Sequence, residues 1–306
     1  MEKKIKKTIS CAEVSYDQID VTRNLNYIPK IGDVALFEVL EIGKHKTVQS
    51  ESKRNVAILK GDFILAAFAN RYATAQFEGY IPEQPTEILD ILGAGGAIGL
   101  VKSKNAAFED IEPTKLKLVG YAINDSKEIV NTLYFNSTKS KFRGEVPNNA
   151  KVFLSIGSTM DSGKTTTAAY LARGLKQSNK KVAFIKLTGT CYTKDKDLVY
   201  DCGADVSIDF VNAGYPSTFM ISKEDILDIY QTLLDSLAAE KPDYIVMEIA
   251  DGLVQRETEF LLRDTAFMKT IDKVILSCGD SLAAFWGISF LSDLGYKPSI
   301  IAGRFT

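Results

Sequence analysis

Histidine is nearly missing from this 306-residue chain, which has only His45, and cysteine is sparse, with four residues. The cysteines (Cys11, Cys191, Cys202, Cys278) are scattered, and no two form a CxxC pair. That spacing argues against a zinc site, which needs clustered thiolates or imidazoles, and against a disulfide framework. It fits a reducing compartment, so a cytoplasmic location is expected. Excess charge is lacking too: 37 Lys and Arg against 39 Asp and Glu leave −2, with a pI near 5.7. Both halves are nearly balanced, so no basic domain faces a phosphate backbone, and nucleic acid is an unlikely partner on charge alone. No apolar run approaches the length that spans a bilayer, so no membrane partner is expected. The basic residues 1–7 are not followed by the apolar stretch of a signal peptide. His45, within Gly43-Lys44-His45-Lys46, reads as a solvated loop residue with no partner for a metal or a catalytic triad. The sequon at 136–138 is a chance match in a cytoplasmic protein.

What is present is ordinary for a soluble globular chain: 45% hydrophobic and 25% charged residues,. The length suggests two domains. From about residue 30 the first half is made of short β-type segments parted by turn residues: 33–42, 56–59, 63–67, 86–92, 98–102, 115–123 and 129–135. Residues 1 to about 27 are polar and weakly patterned and read either as a flexible lead or as an edge strand around 19–21. This spacing suggests a small closed or half-closed β-barrel over residues 1–140. The glycines between Leu92 and Gly99 fail the dinucleotide-binding spacing and read as a tight loop or a point of close backbone approach. Residues 70–80 contain Arg71, Tyr72 and Phe77 and read as a loop packed across the barrel end, with a recognition loop as the alternative. Residues 141–150, polar and holding Gly144 and Pro147, read as an interdomain linker.

The second half, 151–306, is organised around residues 151–173. An apolar strand, 152–156, runs into a loop, Gly157-Ser158-Thr159-Met160-Asp161-Ser162-Gly163, and then into Lys164, Thr165 and Thr166 at the start of a helix. Strand, glycine-bounded loop and Lys-Thr form a phosphate cradle: backbone N–H groups from Gly157 to Thr166 point at an anion. Lys164 would lie along the β- and γ-phosphates and Thr165 would ligate Mg²⁺. The common loop has four residues between its glycine and the Gly-Lys pair; five lie here, which favours a longer variant over a degenerate one.

Beyond the loop, strands and helices alternate, as in an α/β fold with a mostly parallel sheet. Strands are expected at 182–186, 207–211, 244–249, 273–277 and 299–302, with helices at 223–239, 257–263 and 281–293. Ligands in such sheets bind beyond the carboxyl ends of the strands. After the second strand lie Lys186, Thr188 and Thr190, then Lys194, Asp195, Lys196 and Asp197. After the strand at 244–249 lie Glu248, Asp251, Gly252, Gln255 and Arg256. Glu248 sits among Ile245, Val246, Met247 and Ile249, where a charge needs a partner such as Mg²⁺ or a positioned water. Lys186 is placed to reach a phosphate or a carboxylate. Asp251 before Gly252 reads either as functional or as a turn.

On these residues the second half resembles the dethiobiotin synthetase-like group of P-loop NTPases, which includes MobB-type proteins of molybdenum cofactor biosynthesis. That group's loop reads Gly-Thr-x-x-x-x-Gly-Lys-Thr, with the same five-residue interval. Lys186 matches its lysine at the end of the second strand, although the following proline is Leu187 here. A Mg²⁺-binding aspartate of the group falls at Asp197. Its stretch after the acidic strand looks like Glu248-Ile249-Ala250-Asp251-Gly252, and Tyr215-Pro216-Ser217-Thr218-Phe219 resembles a Pro-x-Thr-Phe segment. The lysine that marks dimeric switch ATPases is absent from Thr159, Met160 and Asp161, and no base-binding motif is recognisable in residues 303–306. The barrel has no counterpart in dethiobiotin synthetase; a small barrel ahead of such an NTPase is similar to an uncharacterised bacterial family.

The resemblance implies ATP or another NTP with Mg²⁺, and Lys164, Lys186 and Glu248 as catalytic residues, with Thr165, Asp197 and Glu248 around the metal. Two functions fit. One is phosphoryl transfer to a small acidic acceptor held near Lys186 and Thr188. The other is a nucleotide-dependent switch or adaptor whose barrel binds a protein or nucleic acid. A second copy of the chain is a further candidate partner. If the barrel is a domain of its own, residues 1–140 expressed alone give a β-rich, cooperatively melting circular dichroism signal; a disordered fragment would contradict the division.

Overall fold

The computed structural model describes residues 5–23, 26–134 and 139–303. The sequon at 136–138 and residues 304–306 lie outside the described residues. The chain forms two compact units. The first comprises Met1–Ser137 with two pieces from later in the chain, Thr190–Thr193 and Gly214–Phe219; the second comprises Thr138–Gly189, Lys194–Ala213 and Met220–Thr306.

The first unit contains β1 (Ile5–Lys7), β2 (Gln18–Asp20), β3 (Val34–Glu41), β4 (Thr47–Gln49), β5 (Asn55–Ala57), β6 (Phe63–Phe68), β7 (Phe77–Tyr80), β8 (Ile88–Gly93), β9 (Ala97–Lys104) and β10 (Lys115–Ile123). Five strands pair in a ring: β6 with β3, β3 with β10, β10 with β8, β8 with β9, and β9 back to β6. Strands β1, β2 and β7 extend it from β6, β10 and β9, while β4 and β5 pair with each other. The near-continuous apolar run of β3 has a simple cause. Ala35, Phe37 and Val39 enter one core with Phe68 and Tyr121, while Val34 and Leu36 enter a second core with Cys11, Val14 and Leu65. Both faces of the strand are covered, so it needs no polar alternation.

Two expectations for this half change. Within the segment expected at 129–135, the described residues 129–134 are not a strand: Ile129 makes a single bridge to Ile123 and Thr132–Tyr134 is one 3₁₀ turn. The Asn131 side chain donates to Ile31 O and Asp33 Oδ1 and accepts from Leu133 N, which turns the chain out of the ladder,. At 70–80 it is the packed reading, not the recognition alternative, that Arg71 and Phe77 follow: Arg71 donates to Leu92 O and Gln76 Oε1, and Phe77 is fully buried. His45 is not solvated but 8% exposed, its ring edge-on to Phe77 with centroids 5.8 Å apart. Its charged neighbours hid it, because Lys44 also turns inward, with its ammonium 4.0 Å from the Phe108 ring centroid.

The second unit contains β11 (Lys151–Gly157), α1 (Lys164–Gln177), β12 (Val182–Lys186), α2 (Lys194–Asp201), β13 (Val206–Asp209), α3 (Lys223–Ser236), β14 (Tyr244–Glu248), α4 (Arg256–Leu262), α5 (Thr265–Met268), β15 (Lys273–Cys278), α6 (Ser281–Asp293) and β16 (Ile300–Gly303). Its six strands are parallel, in the order β13-β12-β14-β11-β15-β16. This is an α/β fold with a parallel sheet, and the first unit is a mostly antiparallel β structure. The central strands β14 and β11 are fully buried at Ile245, Val246 and Met247 and at Val152, Leu154 and Ile156, as the interior of a parallel sheet requires. Residues in 141–150, expected as a linker, bind along α3: Phe142 N donates to Asp228 and Arg143 pairs with Asp235. Helix α2 was not anticipated, since KDKDLVYD buries only Val199 and has no apolar stripe to read. Among the described residues no helix is long and apolar enough to cross a membrane.

Burial pushes the His45 pKa down to about 3, with Arg71 and Lys44 adding to the shift. The unfolded imidazole protonates near pH 6.5, the folded one only near 3. Between those values the unfolded state binds the extra proton, so acidification costs about 1.4 kcal/mol per pH unit from this group, and nothing above that window. His45→Gln therefore loses stability less steeply between pH 6 and pH 4 in urea titrations; identical slopes would show that the imidazole is not held neutral.

Candidate functional site

The site is built at the carboxyl ends of β12, β14 and β11. Parallel register sets Asp209, Lys186, Glu248 and Ser155 side by side across four adjacent strands. Paired residues of a parallel sheet point to the same face, so four polar side chains share one row above apolar strands. Glu248 is 2% exposed and Asp209 also 2% exposed, so each needs compensation inside the protein,. Asp209 receives it from Lys196, 2.9 Å away. Glu248 receives less. Its Oε1 accepts from Thr165 Oγ1 at 3.1 Å and lies 3.8 Å from the Lys186 ammonium, while its Oε2 is buried without a hydrogen-bond partner. Lys186 in turn pairs with Asp195.

The loop from Gly157 to Gly163 folds back on itself above this row. A Cβ on Gly157 would lie 2.1 Å from Ser162 Oγ and 2.7 Å from Lys164 Cγ, so any larger residue would force those two side chains to move. Asp161 and Gly163 take positive φ of 58° and 97°, which turns the chain into α1,. The loop is fixed at its base by Ser158 N donating to Ser277 O at 2.8 Å. Lys164 is buried, and its ammonium donates to Thr159 O at 2.8 Å, across the loop. Burial lowers its pKa, against the pull of Glu248 and Asp251, and an arriving anion would raise it again. Thr159, Asp161 and Thr166 are exposed, Met160 and Thr165 half-buried, and Ser158 and Ser162 buried. Gly252 permits the segment after β14 to approach, since a Cβ there would sit 2.8 Å from Ser158 O.

The sequence and the structure distribute the polar candidates differently. Lys164, Thr165, Lys186 and Glu248 come together. Of the two aspartates in the first turn of α2, Asp195 is the one that reaches Lys186; Asp197 is half-buried and about 200° further round the helix,. Asp195 was visible only as one of several charges in a row, and no signal short of knowing α2 would have separated them. Thr188, expected beside an acceptor, is 1% exposed and engaged: its hydroxyl donates to Ala250 O and accepts from Ala250 N. It fastens the segment that follows Glu248. Asp251 is half-buried and acts electrostatically on Lys164.

Among the described residues no group of three or more His, Cys, Asp or Glu side chains is arranged to hold a metal. One carboxylate with a free buried oxygen beside one threonine hydroxyl is nonetheless a donor set that fits Mg²⁺, which commonly takes few protein ligands and completes its shell with phosphate and water. Gly252→Ala tests the close packing. The methyl group meets backbone rather than a flexible side chain, and the variant loses about 1–3 kcal/mol in urea unfolding; full stability would place Gly252 away from the loop.

No protein-family model matches the chain, and no curated protein sequence matches it either. Solved structures show partial likeness. The kinase domain of Escherichia coli tyrosine kinase ETK is 17% identical with a TM-score of 0.36, covering 52% of this chain and 68% of that one. Signal recognition particle receptor FtsY from Elizabethkingia anophelis, in complex with GDP, is 16% identical with a TM-score of 0.37, covering 56% of this chain and 54% of that one. A ParA family ATPase from Chlorobium tepidum TLS is 15% identical with a TM-score of 0.32, covering 52% of this chain and 74% of that one. The fold assignment rests on the sheet order and loop geometry above, not on these scores.

Proposed function

We propose that the second unit binds a magnesium nucleoside triphosphate, taken as ATP, and passes its γ-phosphoryl group to a small acidic acceptor. The observation that supports this most is the half-compensated Glu248 carboxylate, with one oxygen on Thr165 and the other buried and unpartnered. Thr165 and Glu248 would hold Mg²⁺; the ion, when bound, neutralises charge on the β- and γ-phosphates. Asp197 is a further metal-ligand candidate by resemblance alone.

Each remaining part has a physical role. Backbone N–H groups from Gly157 to Thr166, at the head of α1, receive the phosphates. Lys164 exchanges its contact with Thr159 O for a phosphate oxygen, gaining a charged partner for a neutral one,. Lys186, held between Asp195 and Glu248, offers a positive charge to the transferring group or to an acceptor carboxylate. In the transfer, an acceptor oxygen forms a bond to the γ-phosphorus and the bond to the bridging oxygen of ADP breaks. ADP leaves with that electron pair, and the product with a carboxylate acceptor is an acyl phosphate. The protein's contribution is positioning and charge stabilisation.

A nucleotide-dependent switch is the second reading, favoured by one observation: Thr190–Thr193 and Gly214–Phe219, which follow β12 and β13, fold as part of the first unit. Turnover separates the two. A phosphotransferase is nearly idle without its acceptor and fast with it, whereas a switch hydrolyses slowly and answers to a macromolecule. Glu248→Gln is expected to lower Mg²⁺-dependent turnover by about 10²-fold or more while retaining a native melting curve. Lys164→Ala is expected to abolish triphosphate binding. A Glu248→Gln protein with normal turnover and a lowered Tm would make Glu248 a structural residue.

A further inference from the structure

The segment between Lys186 and Asp195 has an unusual construction. Its two ends meet, because Lys186 and Asp195 form an ion pair although nine positions apart. Lys186, Leu187, Thr188 and Gly189 belong to the second unit, as does α2 with Asp195, but the four residues in between, Thr190–Thr193, belong to the first. Those four are held firmly there. Thr190 bridges Ser217, and Cys191 N donates to Pro216 O at 2.9 Å. Gly95 lies so close to Cys191 that a Cβ would come within 1.8 Å of its carbonyl oxygen. Tyr192 Oη donates to Asn55 Oδ1 at 3.0 Å.

The last of the four carries the strongest tie. Thr193 N donates to Gln49 Oε1 at 3.0 Å, and Gln49 Nε2 donates to Thr193 Oγ1 at 2.8 Å and to Lys53 O at 3.2 Å. Gln49 is 4% exposed and Thr193 is 2% exposed, so neither hydrogen bond has water as a substitute,. Gln49 is itself fixed, since its own N–H donates to Ala94 O at 2.7 Å. A two-point amide clamp of this kind sets orientation as well as distance. It acts on the residue immediately before α2, two positions from Asp195.

We propose that Gln49 is a positioning residue for the nucleotide site: by clamping Thr193 it fixes where the segment from Lys186 to Asp195 places those two charges. This rests on the nucleotide-binding reading above and adds to it a residue of the β unit, 137 positions from Lys186 in sequence. The charge most affected is Lys186, whose ammonium lies 3.8 Å from Glu248 Oε1, the carboxylate that would hold Mg²⁺ on that reading,. The loop from Gly157 to Gly163 and Lys164 makes no use of Gln49. The clamp therefore governs the response to the γ-phosphate and leaves diphosphate binding alone. A glutamine that only secured a surface segment would change stability and leave the preference between nucleotides where it was.

Affinities for MgATP and MgADP, measured by calorimetry on the full chain, test this. Gln49→Met keeps the side-chain length and removes both hydrogen bonds to Thr193. Gln49→Glu keeps an acceptor for Thr193 N–H and can accept from the Thr193 hydroxyl. Lys186→Ala is the reference for loss of the charge itself. The expected result is a fall of about fivefold or more in the ATP-to-ADP affinity ratio in Gln49→Met, towards that of Lys186→Ala. MgADP affinity stays within about twofold, and Gln49→Glu recovers most of the ratio. An unchanged ratio in Gln49→Met overturns the positioning role while leaving the nucleotide site standing. Absence of any nucleotide binding by the wild type overturns both. If Gln49→Met does not fold, hydrogen exchange on the wild type decides: MgATP, and not MgADP, slows exchange of amides 190–193, and equal exchange with the two nucleotides overturns the proposal.

Discussion

A carboxylate taken out of water has to be compensated, and Glu248 is compensated on one side only. The arrangement around it follows from that constraint. Parallel pairing of β14 with β12 and β11 puts Lys186 on one side of Glu248 and Ser155 on the other. Thr165, on the first turn of α1, supplies the hydroxyl that its Oε1 accepts. Leaving Oε2 bare inside an apolar sheet would cost several kcal/mol in a protein that had no further use for it. On the proposed reading, a divalent cation with its bound phosphates would offset that cost.

The loop and the row of charges work by opposite means. The loop depends on backbone: a Cβ at Gly157 or Gly252 would come closer than 3 Å to neighbouring atoms, and on the proposed reading its N–H groups would receive the phosphates. The row is charged and depends on alternation. Asp209 with Lys196, Lys186 with Asp195, and Glu248 with Thr165 form successive pairs across the sheet. Lys164 spends its ammonium on a carbonyl, a neutral acceptor. That partner is weaker than a phosphate would be, whereas Lys186 and Lys196 already face carboxylates.

Much of this was legible because local pattern and tertiary environment agree. The limits expected for 115–123, 182–186 and 281–293 coincide with β10, β12 and α6. The five-residue loop interval, the lysine ending β12 and the acid ending β14 are signals carried by residue type and spacing alone. What could not be read depends on contacts distant in sequence. His45 looks solvated among lysines, yet Phe77 and Phe108 bring that turn inward. Helix α2 has too few apolar residues to show a period, so Asp195 could not be told from Asp197. Thr188 looked free for a ligand because nothing local reveals that Ala250 occupies its hydroxyl. The assignment of Thr190–Thr193 to the β unit is equally invisible, since it follows from Gln49 and Gly95, both about a hundred positions or more earlier in the chain.

The most direct test of the central claim is the magnesium dependence of ATP binding to the wild-type protein, measured by calorimetry with Mg²⁺ and again with the metal chelated. If the bare oxygen of Glu248 is half of a metal site completed by phosphates, ATP binds with micromolar affinity in Mg²⁺ and at least about tenfold more weakly without it. Equal affinity in the two conditions, or no binding in either, would contradict it and return Glu248 to the role of a buried residue paired with Thr165 and Lys186 alone.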